Sequence, residues 1–554
     1  MSVQVPLFEK GDKKSSKVAA KVEEIVGGGF DVGKFVENFE TIVHAVGGIR
    51  SLRKLVLELA IRGRLSIRQE GDGTARRLFD AATADRLARQ GRGEARQMEE
   101  LAEPGSDEVP FSLPSTWLWT RIGLAANLVN GRAFKPKDWS ASGLPIIRIQ
   151  NLNNPNAGYN YCAFAVEAKH HLSPGDFLIS WSGTPGTSFG AFIWHGPAGV
   201  LNQHIFRAEV YAAAYELGFL RIAINARLDE MIAQAHGGVG LQHITKGKLE
   251  ALAIPLPPLA EQKRIVAKVD QLMALCDELE AKQTKKRETG ARLTKSALDA
   301  LTSAEGPDEF DAAWKRVVEN FDVLIDRAEK VGELRRALLR LAVHGAFSQK
   351  KREEWTVATV AEVADCRLGK MLDKVKNRGT PRAYLRNTNV HWFRLDLSDI
   401  KEMLFEDDEC EEYELRPGDL VVCEGGHGIG RTTVWAGERK PMMFQKALHR
   451  LRPRVMMNSW FLAFQLKVAA DTGVMDQYFT GAGIPHLTGR RLAEMTVVVP
   501  PVSEQEQIVA KVKELMKICD ELEVRLEQAE VRASQLVEAV VQEVVAAGPS
   551  RPAC

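Results

Sequence analysis

At 554 residues the chain is too long for a single hydrophobic core, and roughly three or four folding units are expected. Hydrophobic residues make up 45% and charged residues 27%, ordinary proportions for a globular protein, and no apolar run approaches the about 20 residues that span a bilayer, so no membrane partner is expected. The formal net charge of +1 carries no global basic footprint, and seven scattered cysteines without a C-x-x-C pair argue against a disulfide framework or a zinc module.

Residues 1–29 are polar and end in Gly27-Gly28-Gly29, the pattern of a flexible tail. They lack the apolar stretch and cleavage site of a secretory signal, which points to the cytoplasm. Gly28 to Phe35 has the spacing of a phosphate-binding loop, but Phe35 stands where Ser or Thr is required and no buried strand precedes it. Residues 30–67 form a helical region with Phe39, Ile42, Val46, Ile49, Leu52, Val56 and Leu59 on one face and Gly63 at the cap position. The charged, Ala-rich stretch 68–110 predicts a surface helix flanked by loops.

Residues 111–256 place Gly, Pro, Asn, Trp and β-branched residues in short runs, the pattern of strands and turns with a few helices. Region 257–348 is helical again. Ile265, Val269, Leu272, Cys276 and Leu279 step by four, three, four and three along one stripe, and Phe321, Leu324, Ala328, Val331, Leu334, Leu338 and Leu341 line a second face ahead of Gly345. Residues 349–499 return to the strand-rich pattern. Within them Glu406 to Glu414 (EDDECEEYE) reads as a solvated acidic loop, with a docking surface for a basic partner as the alternative. GGHGIG, from Gly425, lacks dinucleotide-loop spacing and reads as a tight turn. In region 500–545, Pro500 and Pro501 stop the preceding strand and Ser503 with Glu506 matches a capping box. The stripe recurs there as Ile508, Val512, Leu515, Cys519 and Leu522, in a helix able to run to about Val545, and 546–554 is a tail.

Two duplications organise the chain. Pro257–Glu280 matches Pro500–Glu523 without a gap at an offset of 243, and Val36–Ser66 matches Val318–Ser348 at an offset of 282. LSPGDFLIS at Leu172 and LRPGDLVVC at Leu415 share the first offset, as do GGVGLQHIT at Gly237 and TGAGIPHLT at Thr480, so the two strand-rich segments read as one scaffold with divergent surfaces. Catalytic signatures are missing: no Asn-Pro-Pro-aromatic motif, no nuclease carboxylate-lysine cluster and no H-E-x-x-H helix. His170, His171 and His427 read as surface or loop residues.

The repeated helix openings PPLAEQKRIVAKVDQLMALCDELE and PPVSEQEQIVAKVKELMKICDELE, the helix ends LVLELAIRGRLS and LLRLAVHGAFS, and the entry FSLPSTWLWTRIG together resemble the specificity (HsdS) subunits of type I restriction-modification systems. The resemblance runs from about residue 36 to 540. It implies an α+β molecule in which two β-rich α/β target-recognition domains, 111–256 and 349–499, are joined by two long-helix coiled-coil spacer regions in a pseudo-two-fold, circular organisation. It also implies a non-catalytic subunit in which each domain reads one half of a bipartite double-stranded DNA target, while the spacers dock two methyltransferase subunits. Restriction/translocase subunits complete such a complex, and S-adenosylmethionine, ATP and Mg belong to the partners, with no cofactor in this chain. A helix of about 30 residues spans roughly 45 Å, comparable with the about 34 to 36 Å turn of B-DNA, so the spacers can act as rulers.

A reader of DNA needs Lys and Arg for phosphates and Arg, Lys, Asn or Gln for base edges. Candidates in the first domain are Arg132, Lys135, Lys137, Arg148, Gln150, Asn151, Gln203 and His204. In the second they are Lys370, Lys374, Lys376, Arg378, Arg382, Arg386, Asn387, Asn389, Gly426, His427, Arg431, Gln445, Lys446 and Arg450. The alternative is a non-catalytic coiled-coil scaffold whose β-rich domains bind proteins, which the near-neutral charge favours; a self-sufficient methyltransferase would require S-adenosylmethionine binding by the isolated chain.

Overall fold

The computed structural model describes residues 39–546 except 40, 96–100, 155–156, 184–188, 234–241, 306, 349–351, 374, 427, 438–440, 482 and 484. The tail 1–29 and the loop 28–35 therefore lie outside the described residues. Helices and sheets are mixed throughout, and the chain divides into two compact units: residues up to 285 with those from 530, and residues 286–529.

Unit one opens with helix α1 (Gly48–Ile61), whose Ile49, Leu52, Leu55, Val56 and Leu59 are buried. The single helix expected from residue 36 is interrupted. Gly47 adopts a left-handed φ of 76°, and a Cβ on Gly48 would lie 1.7 Å from the Ile42 carbonyl oxygen, so the chain turns back on itself where only glycine fits. Val46, placed on the apolar face by periodicity, falls in this turn and is 53% exposed. Helix α2 (Ala75–Gly91) occupies the charged stretch and buries only Ala75 and Ala82.

The strands of unit one form three groups. Leu118–Arg121 pairs with Ala253–Leu256, joining the domain's entry to its exit. An antiparallel sheet runs in the order Ala126–Asn130, Ile205–Val210, Phe177–Ser180, Gly190–Ile193. A second sheet runs Asn160–Cys162, Leu144–Ile147, Gly199–Leu201, His171–Leu172, with its central pair parallel. Helix α3 (Leu259–Thr302) follows, and its first part buries Ile265, Val269, Leu272, Cys276 and Leu279 against α1 within the unit's core. Val537, Val540 and Val544 complete that core.

Unit two repeats the plan. Helix α4 (Ala328–Val343) starts after a break at Ile325–Arg327, which interrupts the second predicted helix much as the Gly47 turn interrupts the first. Thr356–Thr359 pairs with Thr496–Val499. One sheet runs Ala364–Leu368, Leu448–Pro453, Leu420–Cys423, Thr432–Val434, and another runs Lys401–Phe405, Thr380–Leu385, Met443–Phe444, again with a parallel pair. Helix α5 (Val502–Ala546) buries Ile508, Val512 and Cys519, with Leu515 and Leu522 half-buried. Leu298 and Leu301, from the later part of α3, pack with Leu324, Val331, Leu338, Leu341 and Cys519.

The start of α5 corrects the capping-box reading. The helix begins at Val502, so Ser503 lies inside it, and the Glu504 and Gln505 amides donate to the Pro501 carbonyl. Gln505 is fully buried; its Nε2 donates to the Met456 and Pro500 carbonyls and its Oε1 accepts from the Asn458 amide. Gln262 makes the equivalent three bonds with Ala214, Pro257 and Glu216 in unit one. Glu261 accepts from Ser66 Oγ at 2.6 Å, and Glu504 accepts from Ser348 Oγ at the same distance. Arg53 binds Asp277 and Glu280, as Arg335 binds Asp520 and Glu523. The helices related by one offset are thus clasped to the helices related by the other, with the same chemistry in both units.

Candidate nucleic-acid interface

In each unit the parallel strand pair ends where the candidate residues cluster. In unit one Leu144–Ile147 and Gly199–Leu201 run side by side, and the Asn202 amide donates to the Ile147 carbonyl at 3.0 Å. Arg148–Asn151 and Asn202–His204 therefore leave the sheet at one edge. Gly131 brings a third segment there: a Cβ on it would lie 2.0 Å from the Asn202 carbonyl oxygen, and the Arg132 amide donates to the Leu201 carbonyl at 2.8 Å. No side chain fits at Gly131, so the loop that follows lies directly on the 202–204 turn.

Lys135, Lys137 and Gln150 are exposed along this edge. The Arg132 guanidinium lies 4.6 Å from the Phe164 ring centre and 5.5 Å from that of Phe134, while Arg148 sits 5.6 Å from the Trp139 ring. Such stacking holds a cation in place without neutralising it. Gln203 is half-buried with its Oε1 unpartnered among the described residues, and His204 lies 5.6 Å from the Trp181 ring. Trp139 and Phe164, both exposed, are not among the predicted site residues; Trp139 follows Lys135 and Lys137 closely, which is a readable signal, whereas no Arg or Lys stands within four residues of Phe164.

Unit two builds the same edge. A Cβ on Gly369 would lie 2.2 Å from the Gln445 carbonyl oxygen, the Lys446 amide donates to the Lys370 carbonyl at 2.9 Å, and the Gln445 amide donates to Leu385 at 3.2 Å. Arg386 to Asn389 leaves from the same strand end. Arg431 joins it, its Nη2 donating to the Asn387 carbonyl at 3.2 Å, and Gly426 is exposed nearby, with the Asn387 amide nitrogen 3.2 Å from where its Cβ would stand. Cys423 is buried beneath, its thiol pushed up to about 11 by desolvation. Lys376, Arg378 and Lys446 are exposed, Gln445 is half-buried, and Lys374 and His427 lie outside the described residues.

Four candidates face inward. Asn151 is buried, accepting from the Arg148 amide at 3.0 Å and donating to the Ala157 carbonyl at 3.2 Å. Asn389 accepts from the Arg386 amide at 2.9 Å and donates to Asp396 and Asp399 carbonyls. Both shape the loop that presents their neighbours, because a buried amide with all its partners inside has no bonds left for a base. Lys370 is buried against Glu409, and buried Arg450 binds Asp365 at 2.7 Å and the Glu412 carbonyl at 2.8 Å. Burial lowers the Arg450 pKa.

The acidic run also departs from the solvated-loop reading. It forms a short turn, Asp407–Glu409, and one helical turn, Cys410–Tyr413, with the Tyr413 ring 6.0 Å from both Phe405 and Phe444. Besides Glu409 with Lys370, Asp407 pairs with Arg382 at 3.0 Å, Glu411 with Arg416 at 3.3 Å, and Glu412 with Arg367. Arg386 pairs with Asp399 at 2.7 Å, and hydrogen bonds from Lys401 and Arg386 hold the Asp399 carboxyl below its usual range.

No described helix is long and apolar enough to cross a membrane. The model of the type I restriction modification DNA specificity domain matches residues 114–288 and 352–531, well over half of the chain. Among curated relatives, the type I restriction enzyme EcoEI specificity subunit of Escherichia coli is 22% identical over 559 residues, covering 89% of this chain and 93% of that protein. The EcoAI specificity subunit of Escherichia coli is 23% identical over 560 residues, covering 90% and 94%. A crystal structure of the HsdS subunit from Thermoanaerobacter tengcongensis aligns at a TM-score of 0.41 and 18% identity, covering 80% of this chain and 99% of that one. Two matches to one family domain, set on a duplicated scaffold, place this chain among the specificity subunits of type I restriction-modification systems.

Proposed function

We propose that the chain is a non-catalytic DNA-recognition subunit whose two units each read one half of a bipartite duplex target. The observation that carries this reading is the convergence, in each unit, of three chain segments on one sheet edge bearing exposed lysines together with arginine, glutamine or asparagine. Cations of this kind fix a protein on the phosphate backbone, and planar amides and guanidiniums in the same patch can read base edges in the major groove. The leading base-reading candidates are Arg148, Gln150 and Gln203 in unit one and Asn387, Arg431 and Gln445 in unit two; Lys135, Lys137, Lys376, Arg378 and Lys446 are assigned to phosphates.

Helices α3 and α5 act as rulers between half-sites and dock two methyltransferase subunits, to which restriction/translocase subunits add. At about 1.5 Å per residue, the 44 residues of α3 rise roughly 66 Å, nearly two turns of B-DNA. S-adenosylmethionine, ATP and Mg act in those partners, in the cytoplasm. The test is to exchange residues 117–254 for the equivalent segment of another family member and sequence the methylome of cells carrying the chimera. One half of the methylated motif should change and the other persist; a change in both halves would refute modular reading. Inserting one helical turn into α3 should alter the spacer alone.

A further inference from the structure

The two edges share a backbone plan but differ in the state of their cations. In unit one, Arg132, Lys135, Lys137 and Arg148 have no carboxylate within ion-pair distance among the described residues, and the two arginines rest on aromatic rings. In unit two, Arg382 pairs with Asp407 and Arg386 with Asp399, and the buried Lys370 and Arg450 are held by Glu409 and Asp365, whereas the exposed Arg378 and Lys446 have no carboxylate within ion-pair distance among the described residues; Asp407 and Glu409 come from the acidic segment 406–414. That segment is held on the edge by Tyr413, whose ring lies against Phe444, the residue before Gln445.

We propose that segment 406–414 screens part of the edge of unit two: Asp407 holds Arg382 and must release it before that cation reaches a phosphate. This rests on the DNA-reading function proposed above. A cation already paired with a carboxylate neutralises no additional phosphate until the carboxylate leaves, and so releases no net counterion. An unpaired one contributes about −0.9 to the slope of log K against log salt, or about threefold in affinity between 50 and 200 mM.

The test uses the subunit assembled with its methyltransferase partners, a fluorescent duplex carrying the methylated motif, and a scrambled duplex. Asp407→Asn is the informative variant, because the Asp407 side chain is 82% exposed and its loss spares the core. It should tighten binding to both duplexes at 50 mM salt, by about threefold more than at 200 mM, and steepen the slope by about one. Lys135→Gln with Lys137→Gln should weaken binding and flatten the slope by about two. If Asp407→Asn leaves affinity and slope unchanged, or weakens binding, the carboxylate positions Arg382 and does not screen it, and the inference falls. If the wild-type complex binds neither duplex, the DNA-reading function itself falls.

Discussion

Gln505 sets the entry to the longest helix, and its removal can be worked through. Its three hydrogen bonds, to the Met456 and Pro500 carbonyls at 2.9 and 2.7 Å and from the Asn458 amide at 2.7 Å, are made by a fully buried side chain. Gln505→Ala strands all three backbone groups. Each unsatisfied buried group costs about 1 to 3 kcal/mol, and water admitted to the vacated space recovers part of it, so a net loss of about 3 kcal/mol is expected. At 1.4 kcal/mol per tenfold this is about a hundredfold loss of protection. Amide hydrogen exchange should show it over the first turns of α5, with little change over the first turns of α3, and Gln262→Ala should show the converse. Gln505→Glu sharpens the test. Its carboxylate loses both donors and faces two carbonyls, so burial raises its folded pKa; the deficit should be small below the ordinary carboxylate pKa and grow as pH rises through the raised value. A loss of protection under tenfold in Gln505→Ala, or an equal loss at both helix starts, would refute the reasoning.

Further outcomes follow from other parts of the structure. Gly369→Ala should displace the loop from the 445–447 turn and lower DNA affinity about tenfold or more, as measured by fluorescence anisotropy, since its Cβ would meet the Gln445 carbonyl at 2.2 Å; unchanged affinity would sink the loop apposition. Arg335→Ala should cost about 1 kcal/mol in urea unfolding at low salt and less at high salt, because its partners Asp520 and Glu523 are 70% and 35% exposed. Buried His449 donates from Nε2 to the Leu487 carbonyl, and desolvation lowers its pKa. The unfolded state therefore binds the extra proton first, so stability is complete above the ordinary histidine pKa and falls as pH drops below it. His449→Gln should flatten the pH dependence of thermal unfolding between about pH 7.5 and 5.5; an unchanged profile would refute this account.

The duplicated architecture was legible because two ungapped offsets are visible in the residues themselves, and the apolar stripe of α3 emerges buried as its spacing suggests. Element ends were less legible. Periodicity carried Val46 through a turn that Gly47-Gly48 in fact forces, because an apolar residue at the right phase outweighed the glycine pair. The Glu-Gln pairs at 261–262 and 504–505 stood inside the repeated motif, yet their role depends on carbonyls from segments over 40 residues earlier. Asn151 and Asn389 each follow an Arg by three residues, and that repeated Arg-x-x-Asn was a readable sign of loop closure. The pairing of Asp407 and Glu409 with Arg382 and Lys370 was not readable, since a linear charge run carries no information about which cations the fold returns to it.

Val537, Val540 and Val544 seal the core that α1 begins, and Arg64 donates to the Val544 carbonyl at 2.8 Å. On the ribosome, then, the first unit to be translated waits for residues made after the whole of the second unit before its apolar face is covered. Its exposed helices are open during synthesis to chaperones or to a neighbouring nascent chain. A stop codon at position 530, which removes residues 530–554, should for that reason unfold the beginning of the protein sooner than its middle.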